Sequence, residues 1–315
     1  MISVIIPTLN RATLLGKTLS SVAVQTLGQN NFEVIVVDNG STDKTKELVE
    51  GFRSTLPNLR YVFETRPGLH ESRHRGLREA SNDILVFSDD DIEALPTWLE
   101  GITESFRDNR VGLVGGKNIP AYETTPPDWI DDIREGSPTE WYITYFSLLD
   151  LGDEAKEIHP HFVFGCNFSI RKDVLNRIGG FHPDAMPASM LKYRGDGETF
   201  VAEQVKKLGY LTVYNPKASV KHWVPASRMN IDYLKKRAFA EGVSQSFIDT
   251  RKKNIAQSTT FLDLLRSVKK LFKSSSTTSL RETIQSSFDE GYAFHQQEMK
   301  NDKALREWVL KENYL

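Results

Sequence analysis

Five short apolar runs, parted by stretches of helical spacing, restrict the fold of this chain more than any other feature. They are ISVIIP (2–7), FEVIVVD (32–38), LRYVFE (59–64), ILVFSD (84–89) and VGLVGG (111–116). All have strand length and are rich in Val, Ile and Phe. They are continuously apolar rather than alternating, which implies strands buried on both faces. Between them, Leu15, Leu19 and Val22, then Leu48, Val49 and Phe52, then Trp98, Leu99, Ile102 and Phe106 recur at helical spacing, and Pro96 stands near the first turn of the last group. Alternating strands and helices imply right-handed βαβ units, hence a doubly wound α/β fold with a mostly parallel sheet and helices on both faces. At 315 residues there is room for one large domain and an appendage. After about residue 117 the texture turns to Pro, Asp, Glu and aromatics, which reads as a long excursion over the sheet. From about 226 it is helical. The expected division is therefore 1–225 and 226–315.

In parallel α/β sheets ligands bind beyond the carboxyl ends of the strands. Three of the expected strands end there in polar groups: IPTLNR carries Pro7, Thr8, Asn10 and Arg11, VVDNGSTD carries Asp38, and FSDDD carries Asp89, Asp90 and Asp91. Three adjacent carboxylates each raise the cost of ionising the next. Sharing a cation relieves that cost, and oxygen donors suit a hard divalent ion such as Mg²⁺ or Mn²⁺, which in turn bridges phosphate oxygens. The blander readings are a solvated turn and helix N-terminus for the triplet, and a turn and helix cap for Asp38. Neither G-x-x-x-x-G-K-[ST] nor G-x-G-x-x-G follows a strand, so phosphate must be held in another way, most simply by a metal and a nearby arginine.

Other features narrow the class. A net charge of -2, from 40 Lys+Arg against 42 Asp+Glu, speaks against nucleic acid or an acidic polymer as partner. The single cysteine, Cys166, excludes an intramolecular disulfide framework and a Cys-based zinc site, and fits a reducing compartment. There is no basic leader with a cleavage site and no stretch approaching the roughly 20 apolar residues that span a bilayer. The expectation is a cytoplasmic protein, soluble or peripheral at the inner face of a membrane. Between Arg251 and Lys273, seven basic residues (Arg251, Lys252, Lys253, Arg266, Lys269, Lys270, Lys273) stand against one acid, Asp263, beside an apolar stripe of Phe261, Leu264, Leu265, Val268, Leu271 and Phe272. This is either a helix packed on the body with a solvated basic face or an interfacial helix on anionic lipid. KSSSTTS (273–279) reads as a linker.

Taken in order, SVIIPTLNR, EVIVVDNGSTDKT, RPGLHESRHRGLREASNDILVFSDDD, GCNFSIRKDVLNRIGGF and GDGETFVAEQVKKLGY resemble the motifs of family 2 inverting glycosyltransferases of the GT-A fold, over about residues 1–224. The resemblance implies a Rossmann-like GT-A domain followed by a mainly helical extension. It implies a nucleotide-sugar donor, by family habit UDP-linked, a glycan or lipid-linked acceptor, and Mn²⁺ or Mg²⁺ as cofactor. Pro7, Thr8 and Asp38 match the positions that hold base and ribose, with Asn10 and Arg11 beside them. Arg73, in ESRHRG, matches the arginine near the donor phosphates, with His74 where the family usually shows Asn. Asp89 and Asp91 match the ends of the D-x-D motif around Asp90, with Asp91 as direct metal ligand. Gly165, Asn167 and Arg171 match the glycine loop beside donor and acceptor, and His222 matches a C-terminal histidine that helps hold metal or diphosphate. Counting back from Gly209 and Tyr210, the general base falls on Glu198, or on Asp196 after a small shift. Trp129, Trp141, Tyr142 and Tyr145 serve either as sugar-stacking rings or as core. Peripheral membrane contact through 251–273 and self-association are the partner expectations for the tail. Two other classes are weighed. A sugar-phosphate nucleotidyltransferase would begin with a glycine-rich loop that IPTLNRATLLG lacks, and a non-catalytic nucleotide-sugar binder is favoured only by the altered GDGET.

Overall fold

A computed structural model describes residues 1–256 and 278–315. The stripe from Phe261 to Lys273 therefore lies outside the described residues, as does most of the linker after it. The strands are β1 (Ile2–Thr8), β2 (Phe32–Asp38), β3 (Leu59–Phe63), β4 (Ile84–Ser88), β5 (Ile92–Ala94), β6 (Val111–Gly115) and β7 (Asn118–Tyr122), then β8 (Glu135–Gly136), β9 (Trp141–Ile143), β10 (Leu148–Asp150), β11 (Lys156–Glu157), β12 (Asn167–Arg171), β13 (Leu211–Tyr214) and β14 (Val220–Val224). The helices are α1 (Ala12–Ala23), α2 (Thr45–Gly51), α3 (Leu69–Glu79), α4 (Trp98–Ser105), α5 (Trp129–Asp132), α6 (Lys172–Ile178), α7 (Gly197–Lys207), α8 (Ile231–Ala256), α9 (Thr278–Asn301) and α10 (Lys303–Leu310).

The main sheet has eight strands in the order β11-β13-β6-β12-β4-β1-β2-β3. Its parallel heart, β4-β1-β2-β3, comes from four of the five apolar runs, and the fifth, β6, pairs parallel with β13. β12 runs antiparallel between β4 and β6. Burial on both faces follows from the pleat, which sends alternate residues to opposite sides. Val4, Ile6, Val34, Val36 and Val86 face Leu15, Leu19 and Val22 of α1 and Leu99 and Ile102 of α4. Ile5, Ile35, Val37, Leu85 and Phe87 face Leu77 of α3, Val174 and Leu175 of α6, and Val201 and Val205 of α7.

The stretch expected as an excursion holds more order than its texture indicates. β7 to β10 join β5 and β14 in a second sheet, ordered β5-β14-β7-β10-β9-β8. Several of these strands are two or three residues long, too short to show a period. Trp141 and Tyr142 are half-buried here, the first under the Arg134 guanidinium at 4.9 Å and the second edge-on to Phe162 at 5.1 Å.

Residues 1–185, 197–226 and 313–315 form one compact unit, and residues 186–196 and 227–312 form another. Within the second, α8 and α9 run the same way, because Phe239 meets Gly291, Ser246 meets His295 and Thr250 meets Gln296. They cross through glycine: a Cβ on Gly242 would collide with the Phe288 carbonyl, and one on Gly291 with the Phe239 carbonyl. Among the described residues no helix is long and apolar enough to cross a membrane.

Candidate active site

The register of the parallel strands sets the site. Thr8 lies opposite Asp38 on β1 and β2, and β4, alongside β1, delivers Asp89, Asp90 and Asp91 to the same edge. Asp38 is 1% exposed; its carboxylate accepts from the Ser41 backbone N–H at 2.7 Å and the Tyr61 hydroxyl at 2.7 Å. Burial and that carboxylate together hold the Tyr61 phenol above its ordinary pKa. Asn10, at φ 54°, ties the first loop to the second: its Oδ1 accepts from the Thr42 N–H at 2.7 Å and its own N–H donates to Ser41 Oγ at 2.8 Å. Pro7 is buried within β1.

The three aspartates have different surroundings. Asp90 points inward, accepting from Thr8 Oγ1 at 2.7 Å and from Arg11 Nη1 at 2.6 Å. Burial pushes its carboxyl up to about 6, against the pull of Arg11. The other arm of Arg11 reaches Asp91 Oδ2 at 3.0 Å. The Thr18 hydroxyl of α1 sits 2.9 Å and 2.7 Å from the carbonyl oxygens of Asp90 and Ile92, fixing the turn from behind.

His222 reaches this edge because β14 pairs antiparallel with β5, which follows the triplet directly. Its Nδ1 lies 2.8 Å from the Phe146 carbonyl oxygen, which assigns a hydrogen to Nδ1 and turns Nε2 toward Asp91 Oδ1 at 3.3 Å. Asp89, Asp91 and His222 offer ligand atoms within 4.8 Å of one another. Two carboxylates and an imidazole oriented by a backbone carbonyl make a donor set that fits a divalent ion such as Mn²⁺ or Mg²⁺.

Arg73 is the hub. Buried to 2% exposure, it lies over the Phe181 ring at 5.0 Å and donates to Glu198 Oε2 at 3.2 Å and to the Gly165 carbonyl at 3.3 Å, with Asp89 Oδ1 at 4.0 Å. Desolvation opposes its charge, but Glu198, Asp89 and Asp184 outweigh it and raise its pKa. Glu198, at the first turn of α7, has its pKa raised by burial while Arg73 pulls the other way. It also accepts from the Gly165 N–H at 3.2 Å. Position 165 must be glycine, because a Cβ there would run into the Arg73 guanidinium and stand 2.9 Å from Glu198 Oε1.

Other sequence-selected residues go elsewhere. Asn167, 1% exposed, belongs to the frame: its Oδ1 accepts from Trp98 Nε1 at 2.9 Å, and its Nδ2 donates to the Ala218 carbonyl at 2.9 Å. Arg171 binds the carbonyls of Val111, Phe106 and Asp108. Asp196 ends the segment 186–196, which belongs to the second unit. His74 turns into the core, its Nε2 accepting from the Phe181 N–H at 2.8 Å. Sequence reasoning missed Tyr61, Thr18 and Asp184, which carry no motif of their own and matter only through the strands and loops beside them.

The burial of His74 makes a stability prediction. Burial and the neighbouring His70 lower its pKa to about 3, from the ordinary 6.5. Between those values the unfolded chain binds the extra proton, so stability rises with pH and is lost as pH falls below about 6.5. At pH 5 the loss is about 2 kcal/mol, at roughly 1.4 kcal/mol per pKa unit. In urea unfolding, wild type should therefore lose about 2 kcal/mol more than His74→Asn between pH 7.5 and 5. Equal losses would contradict the assignment.

The Glycosyl transferase family 2 model matches residues 3–179. The chain belongs to that family. Among curated relatives it is 33% identical over 181 residues to Glycosyltransferase AglE of Haloferax volcanii, a match covering 57% of this chain and 55% of the relative. It is 24% identical over 235 residues to the same organism's glucosyl-dolichyl phosphate glucuronosyltransferase, covering 74% and 72%. This family 2 chain thus spans about half the length of the first relative and more of the second. Among solved structures, the mannosyltransferase PcManGT from Pyrobaculum calidifontis, in complex with GDP-Man and Mn²⁺, superposes with TM-score 0.58 at 21% identity, covering 99% of this chain and 83% of that one. S. aureus TarS 1–349 with UDP-GlcNAc gives 0.53 at 14% identity, covering 95% and 91%. The family 2 chain has the GT-A fold, with a helical C-terminal region of α8 to α10.

Proposed function

We propose that this chain moves a sugar from a nucleotide-sugar donor to a hydroxyl of a glycan or lipid-linked acceptor, with inversion at the anomeric carbon. One observation carries the reading: a single buried guanidinium, Arg73, reaches Glu198 at 3.2 Å on one side and Asp89 at 4.0 Å on the other. In this reading the guanidinium links a proton acceptor to a cation-holding carboxylate, which supports their acting on one substrate. Asp38, Thr8 and Pro7 receive base and ribose; a buried carboxylate accepts several hydrogen bonds at once. Asp89, Asp91 and His222 hold the divalent cation, whose contribution when bound is to neutralise charge on the departing diphosphate. Glu198 accepts the proton of the attacking acceptor hydroxyl, and its raised pKa suits a general base. Attack from the face opposite the leaving group, through an oxocarbenium-like transition state, inverts the centre in one displacement. A UDP-linked donor remains the family expectation.

The relative named for a glucosyl-dolichyl phosphate substrate favours a lipid-linked acceptor. The region 226–315 would then serve acceptor, membrane-surface or self-association contacts, and the corresponding location is the cytoplasmic face of a membrane. The test is hydrolysis of UDP-, GDP- and dTDP-sugars by purified protein with Mn²⁺, Mg²⁺ or EDTA. Metal-dependent cleavage of one donor, abolished by EDTA, is the expected result. No cleavage, together with no metal-dependent nucleotide binding, would replace this reading by a non-catalytic binder.

A further inference from the structure

Behind Arg73 and Glu198 lies an aromatic cluster that the proposed chemistry does not use. His70, His74, His182 and Tyr314 are 1%, 0%, 2% and 3% exposed. The Tyr314 ring meets His182 edge-on at 5.3 Å and His70 edge-on at 6.4 Å. His182 in turn lies flat on Phe200, with ring centroids 3.6 Å apart and planes 14° from parallel.

Both ends of this chain of rings meet elements that carry a group of the site. Phe200 sits on α7 two residues after Glu198, and His70 sits on α3 one turn before Arg73. Between the two helices runs the segment 181–184. His74 holds its start through the Phe181 N–H, and Arg73 lies over the Phe181 ring. The Leu69 N–H at the start of α3 donates to the Asp184 carbonyl at 3.1 Å. At Gly197, φ +48°, a Cβ would stand 2.7 Å from Asp184 Oδ2, so α7 begins against this segment with no slack. Residues 313–315 close the arrangement on the same unit, where Gly180, φ +82°, leaves space for both His74 and Leu315.

We infer that Tyr314 is a positioning residue for sugar transfer: by bracing His182 against Phe200 and bearing on His70, it fixes the separation of Glu198 and Arg73. The inference rests on the transferase reading above. Its physical basis is that packed aromatic edges and faces have defined geometry, and that a shift of about 1 Å at a reacting group costs on the order of 10²-fold in rate.

The test compares full-length wild type, Tyr314→Ala and Tyr314→Phe in two readouts. In transfer assays, Tyr314→Ala should lower kcat by about tenfold to a hundredfold with donor KM within about twofold, and Tyr314→Phe, which keeps the ring, should restore it. In hydrogen–deuterium exchange, peptides covering 181–184 and 197–203 should exchange faster in Tyr314→Ala alone. Unchanged exchange there, or a Phe variant as impaired as Ala, overturns the inference. If wild type transfers no sugar, the transferase reading fails, and exchange still decides whether Tyr314 holds these segments.

Discussion

On the proposed function, Glu198→Gln should lower sugar transfer by roughly 10²- to 10⁴-fold, the usual contribution of a positioned general base, while metal-dependent nucleotide binding should stay within about twofold. Glutamine keeps the size of the side chain and an oxygen for Arg73, so the loss isolates the proton-accepting role. The buried guanidinium loses the nearest of its countercharges, however, so a fall in melting temperature should accompany the kinetic effect. Asp196→Asn, by contrast, should leave the rate near wild type. Steady-state kinetics of the two variants decide between the carboxylates: a large loss in Asp196→Asn with an active Glu198→Gln would exchange their roles.

Asp91→Ala is the second large effect. It removes one of the atoms that Asp91, Asp89 and His222 offer a cation in the proposed function, and it also frees one arm of Arg11. Losing a metal's orienting partner already costs about 10- to 100-fold in affinity, so losing a ligand should cost at least that. Several kcal/mol of charge stabilisation at the leaving group go with it, equivalent to about 10³-fold or more in rate. Calorimetric titration with Mn²⁺ and donor hydrolysis should both collapse, and excess Mn²⁺ should not restore hydrolysis. Wild-type affinity in Asp91→Ala would move the cation elsewhere.

The parallel heart of the fold was legible because burial on both faces writes itself into sequence as unbroken apolar runs: 32–38 matches β2 outright, and the other runs match within a residue. The antiparallel course of β12 was not legible, since NFSIR carries no sign of direction and its place is set by the edges of β4 and β6. At the site, the aspartates were visible as clustered like charge at a strand end. Their partners were less so. His222 joins Asp91 through the β5–β14 pairing, and Arg73 meets Glu198 from 125 positions away. Asn167 and Arg171 look the same in sequence whether they bind a ligand or the frame; only the carbonyls around them distinguish the cases.

The glycine crossing of α8 and α9 has a mechanical meaning. Where most helix pairs are separated by a layer of side chains that can change rotamer and let one slide on the other, Gly242 and Gly291 bring backbone against backbone. Nothing at that point can repack. At that crossing the two helices resist sliding more than a pair cushioned by side chains would.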